Sequence, residues 1–458
     1  MTSTSSDALI FFGATGDLAY KKIFPALQAM VRRGHLNVPI IGVAYSKWDL
    51  EQFKARAKDS LEKHGGLDPE AWEKLDGLLH YIDGDYDNPE TFSKLRNSLG
   101  NAQQPLYYMA IPPSLFAVVA EGLAEAGCTK NARVVIEKPF GRDLASAQEL
   151  NRVLHRFFPE ESIFRIDHYL GKEPVQNLIY FRFANPFVEM GWSNQYLESV
   201  QITMAESFGV LGRGKLYEEL GAIRDVVQNH MLHVVACLAM DWPEGHEGEC
   251  MREARGKLLK EVRVLEPSQV VRGQFRGYRH EPGVAPDSQV ETFAAVQFFI
   301  DNERWAGVPF CVRVGKCLPC TVTEIIVRVK PSLHPMLEES SPLANYYRFR
   351  LSPDVLIALG ARIKKPGEKM EGERIELIAH HQPPGEMDPY ERLLGDASRG
   401  DASLFARQDS VEVSWQIVDA ILDNVTPLVE YEPNTWGPPA MTQAFVPKGG
   451  WHNPQPHE

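Results

Sequence analysis

The sequence predicts an α/β domain over residues 1–170, built on a parallel sheet, followed by an α+β domain over residues 171–458 with a large, mostly antiparallel sheet. Three observations point there. Strand-like runs alternate with amphipathic helical segments through about the first 165 residues. A glycine-bearing turn follows the first strand. Beyond that stretch, strand-like runs succeed one another with few helices between them.

The elements follow in order. Residues 8–12 are a short apolar run ending in Gly13-Ala-Thr-Gly16, a strand entering a glycine turn. A helix is predicted over 17–33, with Ile23, Leu27, Met30 and Val31 at helical spacing and Gly34 ending it. Residues 39–44 are a second strand. This β-α-β opening predicts a Rossmann-like domain that binds a nucleotide at the strand ends. A helix over 51–64 and strands over 78–82 and 105–111 come next, the latter stopped by Pro112-Pro113. A helix over 114–126, a strand over 133–137 and a helix over 144–158 complete the domain.

The second domain contributes strands at 199–205, 292–300, 309–314, 324–330 and 346–351, and one long helix over 221–240. Residues 243–256 and 380–389 have the composition of surface loops. The tail from Pro427 holds seven prolines and is expected to be irregular. There is no repeat at a fixed period.

Composition narrows the function classes. With 44% hydrophobic and 24% charged residues, the 458-residue chain is globular rather than disordered. No uncharged run approaches the ~18 apolar residues of a membrane span, and no signal peptide is visible at the start. Six cysteines in this length suggest a reducing compartment, so a cytoplasmic location is expected. The net charge of −13 argues against nucleic acid as a partner and requires any anionic substrate to meet a local basic pocket.

Several motifs carry chemistry. In Gly13-Ala-Thr-Gly-Asp-Leu-Ala19 the glycines let the backbone approach a pyrophosphate, and the helix that follows offers free amides. An ordinary tight turn would use the same residues. The second strand ends Val43-Ala-Tyr-Ser-Lys47, without the acid that holds the ribose in NAD sites. Ser46 and Lys47 favour a 2′-phosphate, hence NADP, although Lys47 could simply be a solvated loop lysine.

The string Arg165-Ile-Asp-His-Tyr-Leu-Gly-Lys-Glu173 crowds polar side chains into one stretch. His168, Tyr169 and Lys172 can converge on a phosphate as charge-assisted donors, while Asp167 could orient a catalytic histidine. A polar surface loop has the same composition. Lys138, in Glu137-Lys-Pro-Phe-Gly141, stands at a strand's carboxyl end, where such sheets place substrate contacts. It too could be a solvated turn lysine, and Pro139 could be cis.

On the long helix, Ile223, Val226, Val227, Met231 and Val234 form one stripe, and His230 falls inside it. A histidine there is either a general base in a cleft or a hydrogen-bonded core residue. Asp225 lies five residues earlier, about 140° away on a regular α-helix, so the two share a site only if Asp225 sits in the first turn or approaches from another side. Cys317-Leu-Pro-Cys320 lacks a second ligand pair, so no metal is expected. Gly-x-Ser-x-Gly and Walker sequences are absent, which excludes those hydrolase and nucleotide-triphosphatase classes.

Together these strings, with Lys22, Arg224-Asp-Val-Val-Gln-Asn-His230, Val271-Arg-Gly-Gln-Phe-Arg-Gly-Tyr278, Glu291-Thr-Phe293 and Arg313-Val-Gly-Lys316, resemble the glucose-6-phosphate dehydrogenase family. The motifs occur in the family's order from about residue 10 to 330. The resemblance implies oxidation of glucose 6-phosphate to 6-phosphoglucono-1,5-lactone with reduction of NADP, the entry to the oxidative pentose phosphate pathway. A dehydrogenase of the same architecture acting on another sugar or sugar phosphate is the alternative. By the same resemblance His230 is the general base and Asp167 its orienting carboxylate. His168, Tyr169 and Lys172 form the phosphate clamp, and Lys22, Lys138, Glu206, Asp225 and Lys316 are further substrate contacts. Gly13, Thr15, Gly16, Asp17, Leu18, Ser46, Lys47 and Lys138 are the cofactor contacts.

Two departures stand out. Tyr45 occupies the position where the family usually has an arginine for the 2′-phosphate, which leaves NAD use open. Cys-Leu-Pro-Cys-Thr321 follows Lys316 in place of a basic cluster, so no second, structural NADP is expected. The resemblance also implies a homodimer or homotetramer, with the second domain serving substrate binding and dimerisation.

Overall fold

A computed structural model describes residues 5–245, 248–331, 345–367, 371–380, 387–439, 441 and 445–455. The chain forms two compact units. The first draws on residues 1–172, 243–256 and 387–412, the second on 173–242, 257–386 and 413–458.

In the first unit six strands form one sheet: β1 (Ala8–Phe12), β2 (Ile40–Ala44), β3 (Leu79–Asp83), β4 (Pro105–Met109), β5 (Arg133–Ile136) and β6 (Ile163–Arg165). All pairs are parallel, in the order β3-β2-β1-β4-β5-β6. Every residue of β1, β2 and β4 is buried, as expected of a parallel sheet covered on both faces. Strand order reverses between β1 and β4, which opens a crevice at their carboxyl ends, just where Gly13 stands.

The helix predicted over 17–33 is present in two parts, a π-helical turn at Ala19–Ile23 and an α-helix at Phe24–Arg32. Its apolar face meets the sheet through Phe24, whose ring lies 5.7 Å from Phe11 and 5.6 Å from Phe53. The strand predicted over 78–82 starts one residue later, because Leu78 still belongs to the helix Pro69–Leu78. That single step places Asp83 at the strand's carboxyl end.

The loop predicted over 243–256 is instead largely helix, Gly248–Glu261. Its charged residues misled the composition argument because two of its arginines are buried and paired. Arg252 donates to Glu160 and Glu249, and Arg255 to the carbonyls of Ser403 and Phe405. Of the other predicted loop, residues 381–386 lie outside the described residues. His380 ends a strand, and Pro389 opens the helix Pro389–Arg399, capped by Asp388. Beyond that helix, Ala406 bridges to Arg165 and so extends the β6 edge.

The second unit is built on nine strands: β7 (Leu197–Ala205), β8 (Val270–Phe275), β9 (Phe293–Phe298), β10 (Phe310–Gly315), β11 (Val322–Val329), β12 (Tyr346–Ser352), β13 (Leu356–Lys364), β14 (Gly372–His380) and β15 (Leu428–Tyr431). Their order is β14-β13-β12-β11-β7-β10-β9-β8-β15. Only β7–β10 and β8–β15 are parallel, so the sheet is mixed and mostly antiparallel.

Two sequence expectations need correction here. The single helix predicted over 221–240 is three consecutive pieces. The helix Gly214–Ala222 breaks at Gly221 (φ 66°, ψ 176°), a π-helix spans Ile223–Met231, and an α-helix spans Leu232–Ala239. The tail is not irregular throughout either. Leu428–Tyr431 adds a strand parallel to β8, and the segment around His452 is tied across the sheet. There Arg313 Nη2 donates to the His452 carbonyl at 2.5 Å, and His452 Nε2 lies 2.8 Å from Glu324 Oε1. The guanidinium of Arg313 also stacks over Trp436 and Trp451.

Candidate active site

Strand register explains much of the site in each unit. In the first unit the β1 end carries Gly13 at φ +77°, a left-handed conformation that glycine adopts without strain. A Cβ at Gly13 would lie 2.2 Å from the Ala110 carbonyl oxygen, so the chain needs glycine there for close approach as well. The Gly16 N–H donates back to Gly13 O at 2.9 Å, closing the turn. Thr15 Oγ1 and Ser46 Oγ are 2.8 Å apart, which links the turn to the β2 end. Leu18 packs on the core, whereas Asp17 is exposed and paired with Lys21, whose charge and hydrogen bond lower its carboxyl's pKa.

Two supports of this turn had no sequence signal. Tyr86 Oη accepts the Gly13 N–H at 2.8 Å and donates to the Val43 carbonyl. Asp83 Oδ1 accepts the N–H groups of both Ser46 (3.0 Å) and Lys47 (2.7 Å), holding Lys47 at φ 56° with its side chain exposed. Tyr45 points to solvent, 62% exposed. A shift of one residue in β3 would have hidden Asp83, and the pairing of three strand ends cannot be read from any one of them.

At the other side of the crevice, Ile136 of β5 pairs with Arg165 of β6. The residues that follow each strand therefore emerge side by side: Glu137 and Lys138 from one, Ile166 and Asp167 from the other. Asp167 is 1% exposed and accepts the Tyr169 N–H at 2.9 Å, which folds the His168-Tyr169 segment back over it. His168 stacks on Tyr390, and Tyr169 is buried. Lys172 Nζ sits 3.8 Å from the Tyr169 ring centroid. Burial pushes its amine down to about 8; Lys22 adds to that shift and Asp167 opposes it. Beneath them Glu137 is buried and receives a hydrogen bond from Tyr108 Oη. Desolvation raises its carboxyl to about 7, against the pull of Tyr108 and Lys138. The Lys138–Pro139 peptide is cis.

In the second unit Gly315 of β10 lies opposite Ala205 of β7 in a parallel pair. The next residues, Lys316 and Glu206, are thus neighbours, and their side chains form a 2.5 Å ion pair. Lys316 Nζ also lies 5.0 Å from the ring of Tyr217. Burial raises the Tyr217 phenol well above its usual range, and the charges of Asp225, Glu291 and Glu206 raise it further. Tyr217, unmarked in the sequence, feels the charge of all three acids.

His230 is 2% exposed, with its backbone N–H donating to Asn229 Oδ1 at 2.6 Å. The expected 140° separation from Asp225 does not apply. In a π-helix hydrogen bonds join residues five apart, so Asp225 and His230 come closer to one face than on an α-helix. The Asn229 side chain supports this wider ladder by donating to the Arg224 carbonyl at 2.9 Å. Cys317 and Cys320 carry thiols, not a disulfide, and burial raises the pKa of both.

A doubly wound sheet with a glycine turn at its switch point, joined in one chain to a mixed-sheet unit bearing a buried histidine and paired polar contacts, defines a dinucleotide-dependent oxidoreductase. Comparison with known proteins gives the particular kind. The family profile described as "Glucose-6-phosphate dehydrogenase, NAD binding domain" matches residues 10–177, and "Glucose-6-phosphate dehydrogenase, C-terminal domain" matches 179–452. Glucose-6-phosphate 1-dehydrogenase 1 of Mycobacterium tuberculosis is 39% identical over 454 residues, covering 98% of this chain and 97% of that protein. The crystal structure of glucose-6-phosphate 1-dehydrogenase from Mycobacterium avium is similar with a TM-score of 0.93 at 40% identity, covering 100% of both chains. A glucose-6-phosphate dehydrogenase in complex with its substrate glucose-6-phosphate gives 0.90 at 34% identity, covering 99% of this chain and 100% of that one. The chain belongs to the glucose-6-phosphate dehydrogenase family.

Proposed function

We propose that this protein oxidises glucose 6-phosphate at its anomeric carbon to 6-phosphoglucono-1,5-lactone, with NADP as the hydride acceptor. The observation that carries the reading is the cluster His168, Tyr169 and Lys172 folded over Asp167 at the carboxyl end of β6, with Lys172 Nζ 3.8 Å from the Tyr169 ring. Burial pushes the Lys172 amine down to about 8, with Asp167 opposing and Lys22 adding to the shift, so an anion settling there offsets the cost of keeping that amine charged. A phosphate dianion, also reached by His168 and Tyr169, relieves that cost with charge-assisted hydrogen bonds.

In this reading His230 takes the proton of the anomeric hydroxyl. Asp167 is the carboxylate assigned to hold the imidazole's tautomer and stabilise its cation. The nicotinamide ring, when bound, accepts the hydride. Lys138, Glu206, Asp225 and Lys316 hold the sugar hydroxyls, where paired donors and acceptors reject analogues lacking them. The glycine turn suits a dinucleotide pyrophosphate because a side chain at Gly13 would collide with Ala110. Gly13, Thr15, Gly16, Asp17 and Leu18 take that end of the cofactor, and Ser46 and Lys47 take the 2′-phosphate. Asp83 supports this by fixing the turn that presents Lys47. Tyr45 provides no charge, so NAD should also be accepted.

We further assign the second unit to substrate binding and homo-oligomer formation, as dimer or tetramer, in the cytoplasm. Supporting this, β13 and β14 expose Ile363, Leu377 and Ile378 at the edge of the sheet. Among the described residues no helix is long and apolar enough to cross a membrane.

The deciding experiment is initial-rate kinetics with glucose 6-phosphate, titrating NADP and NAD separately, with free glucose as the control substrate. Turnover with glucose 6-phosphate and preference for NADP are expected. A preference for free glucose would overturn the phosphate assignment, and a preference for NAD would overturn the reading of Lys47.

A further inference from the structure

Glu291 is 4% exposed and lies between two elements that the proposed chemistry depends on. Its Oε1 accepts the Ile223 N–H at 3.0 Å, the first residue of the π-helix. Its own carbonyl accepts the Ala222 N–H at 2.9 Å. Its Oε2 is gripped by Arg272, with Nη2 at 3.2 Å and Nε at 3.4 Å. Arg272 is itself immobilised by Asn424 Oδ1 and by the carbonyls of Gln289 and Thr426. The carboxylate fits against Gly221 so closely that a Cβ there would lie 2.5 Å from Oε1. The next residue, Thr292, accepts the Lys316 N–H at 3.0 Å. One short segment thus anchors both the start of the π-helix and the backbone of Lys316.

We propose that Glu291 is a positioning residue for the reaction: clamped by Arg272, it fixes the start and register of the π-helix and thereby the relation between Asp225 and His230. A π-helix is rare because the ordinary α-helix is the better hydrogen-bonded form, so it persists where something holds it. Released at its first N–H, the segment relaxes toward α geometry. Residues five apart then swing to about 140° from one another, and Asp225 moves away from the face that His230 occupies. The inference rests on the roles proposed above for Asp225 and His230.

The test uses the full-length enzyme carrying E291A, E291Q, E291D, D225N and the double change E291A/D225N, with steady-state kinetics and thermal midpoints. E291A is expected to lose about tenfold or more in kcat/KM for glucose 6-phosphate while the KM for NADP moves less than about twofold. E291Q keeps an oxygen for Ile223 but not the charge, and should recover most of the loss. E291D keeps the charge but is one methylene short, and should recover little. The double variant should lose less than the product of the two single losses, because both act on the same contact.

The proposal is overturned if the losses multiply in full, or if E291D behaves as wild type while E291Q is as poor as E291A. It is equally overturned if E291A lowers the thermal midpoint with kcat/KM unchanged. Should D225N alone leave the KM for glucose 6-phosphate unaltered, the role of Asp225 fails instead, and the ranking of E291Q against E291D still reads Glu291. That ranking also decides the matter if E291A does not accumulate in folded form.

Discussion

His230 is buried on a helix whose apolar stripe would equally suit a core histidine. What separates the two readings is the response to its removal. His230→Asn is expected to lower kcat by about two orders of magnitude or more with KM for glucose 6-phosphate near normal, the signature of a lost general base. Steady-state kinetics checks it; a matching rise in KM would make the residue structural. Lys172 supplies a pH dependence. Its amine is held down at about 8 by burial and by Lys22, so the free enzyme loses this charge as pH rises through that value. The expected outcome is a fall in kcat/KM for glucose 6-phosphate above pH about 8, measured as a pH profile. Lys172→Thr should raise KM and erase that limb. At this scale the sequence was most informative: residues with unusual chemistry announce themselves in short strings such as 165–173. Tyr86, Asp83 and Tyr217 did not, because each acts through partners distant in the chain and none has a distinctive neighbour.

Among the elements, the turn between β1 and the first helix is the most constrained. Gly13 combines a positive φ with a carbonyl oxygen only 2.2 Å from where a Cβ would be. Gly13→Ala is therefore expected to destabilise the protein by more than about 1 kcal/mol, and to raise KM for NADP more than KM for glucose 6-phosphate. Thermal melts and kinetics on the same preparation would show it. The glycine was legible because strand, turn and helix each left a local pattern. The π-helix was not. Its stripe of Ile223, Val226, Val227 and Met231 fits a 3.6-residue period, and neither the Asn229 amide on the Arg224 carbonyl nor Glu291 on the Ile223 N–H leaves a periodic mark. Strands β13 and β14 escaped for another reason. β13 opens with an apolar run over residues 356–359 that a buried helix would equally show, and β14 mixes charged residues with exposed Leu377 and Ile378, so neither has a clean inside–outside alternation.

For the molecule as a whole, the sequence read as two consecutive blocks, yet the first unit recruits two segments from far downstream. The joint is electrostatic. Glu160 accepts hydrogen bonds from Arg165 at 2.7 Å, from Arg252 at 3.1 Å and from the Gln408 N–H at 2.9 Å, with His155 at 2.9 Å on its other oxygen. Both arginines are 2% exposed or less. Glu160→Gln removes the carboxylate paired with Arg165 and leaves Arg252 with Glu249, and is expected to cost about 3 kcal/mol of stability, measured by denaturant titration. No periodicity betrays such a joint, since charged residues are ordinarily assigned to the surface.

The order of synthesis gives that joint a further meaning. A ribosome finishes all six strands of the first sheet by residue 165, but Arg252 and Gln408 emerge much later. Until then Glu160 has Arg165 and His155 but neither Arg252 nor Gln408, and the outer edge of β6 has no Ala406 to close it. A fragment cut near residue 172 is therefore expected to be less stable than the whole unit, since it leaves behind the segments 243–256 and 387–412. The unit becomes whole only when translation has passed residue 412.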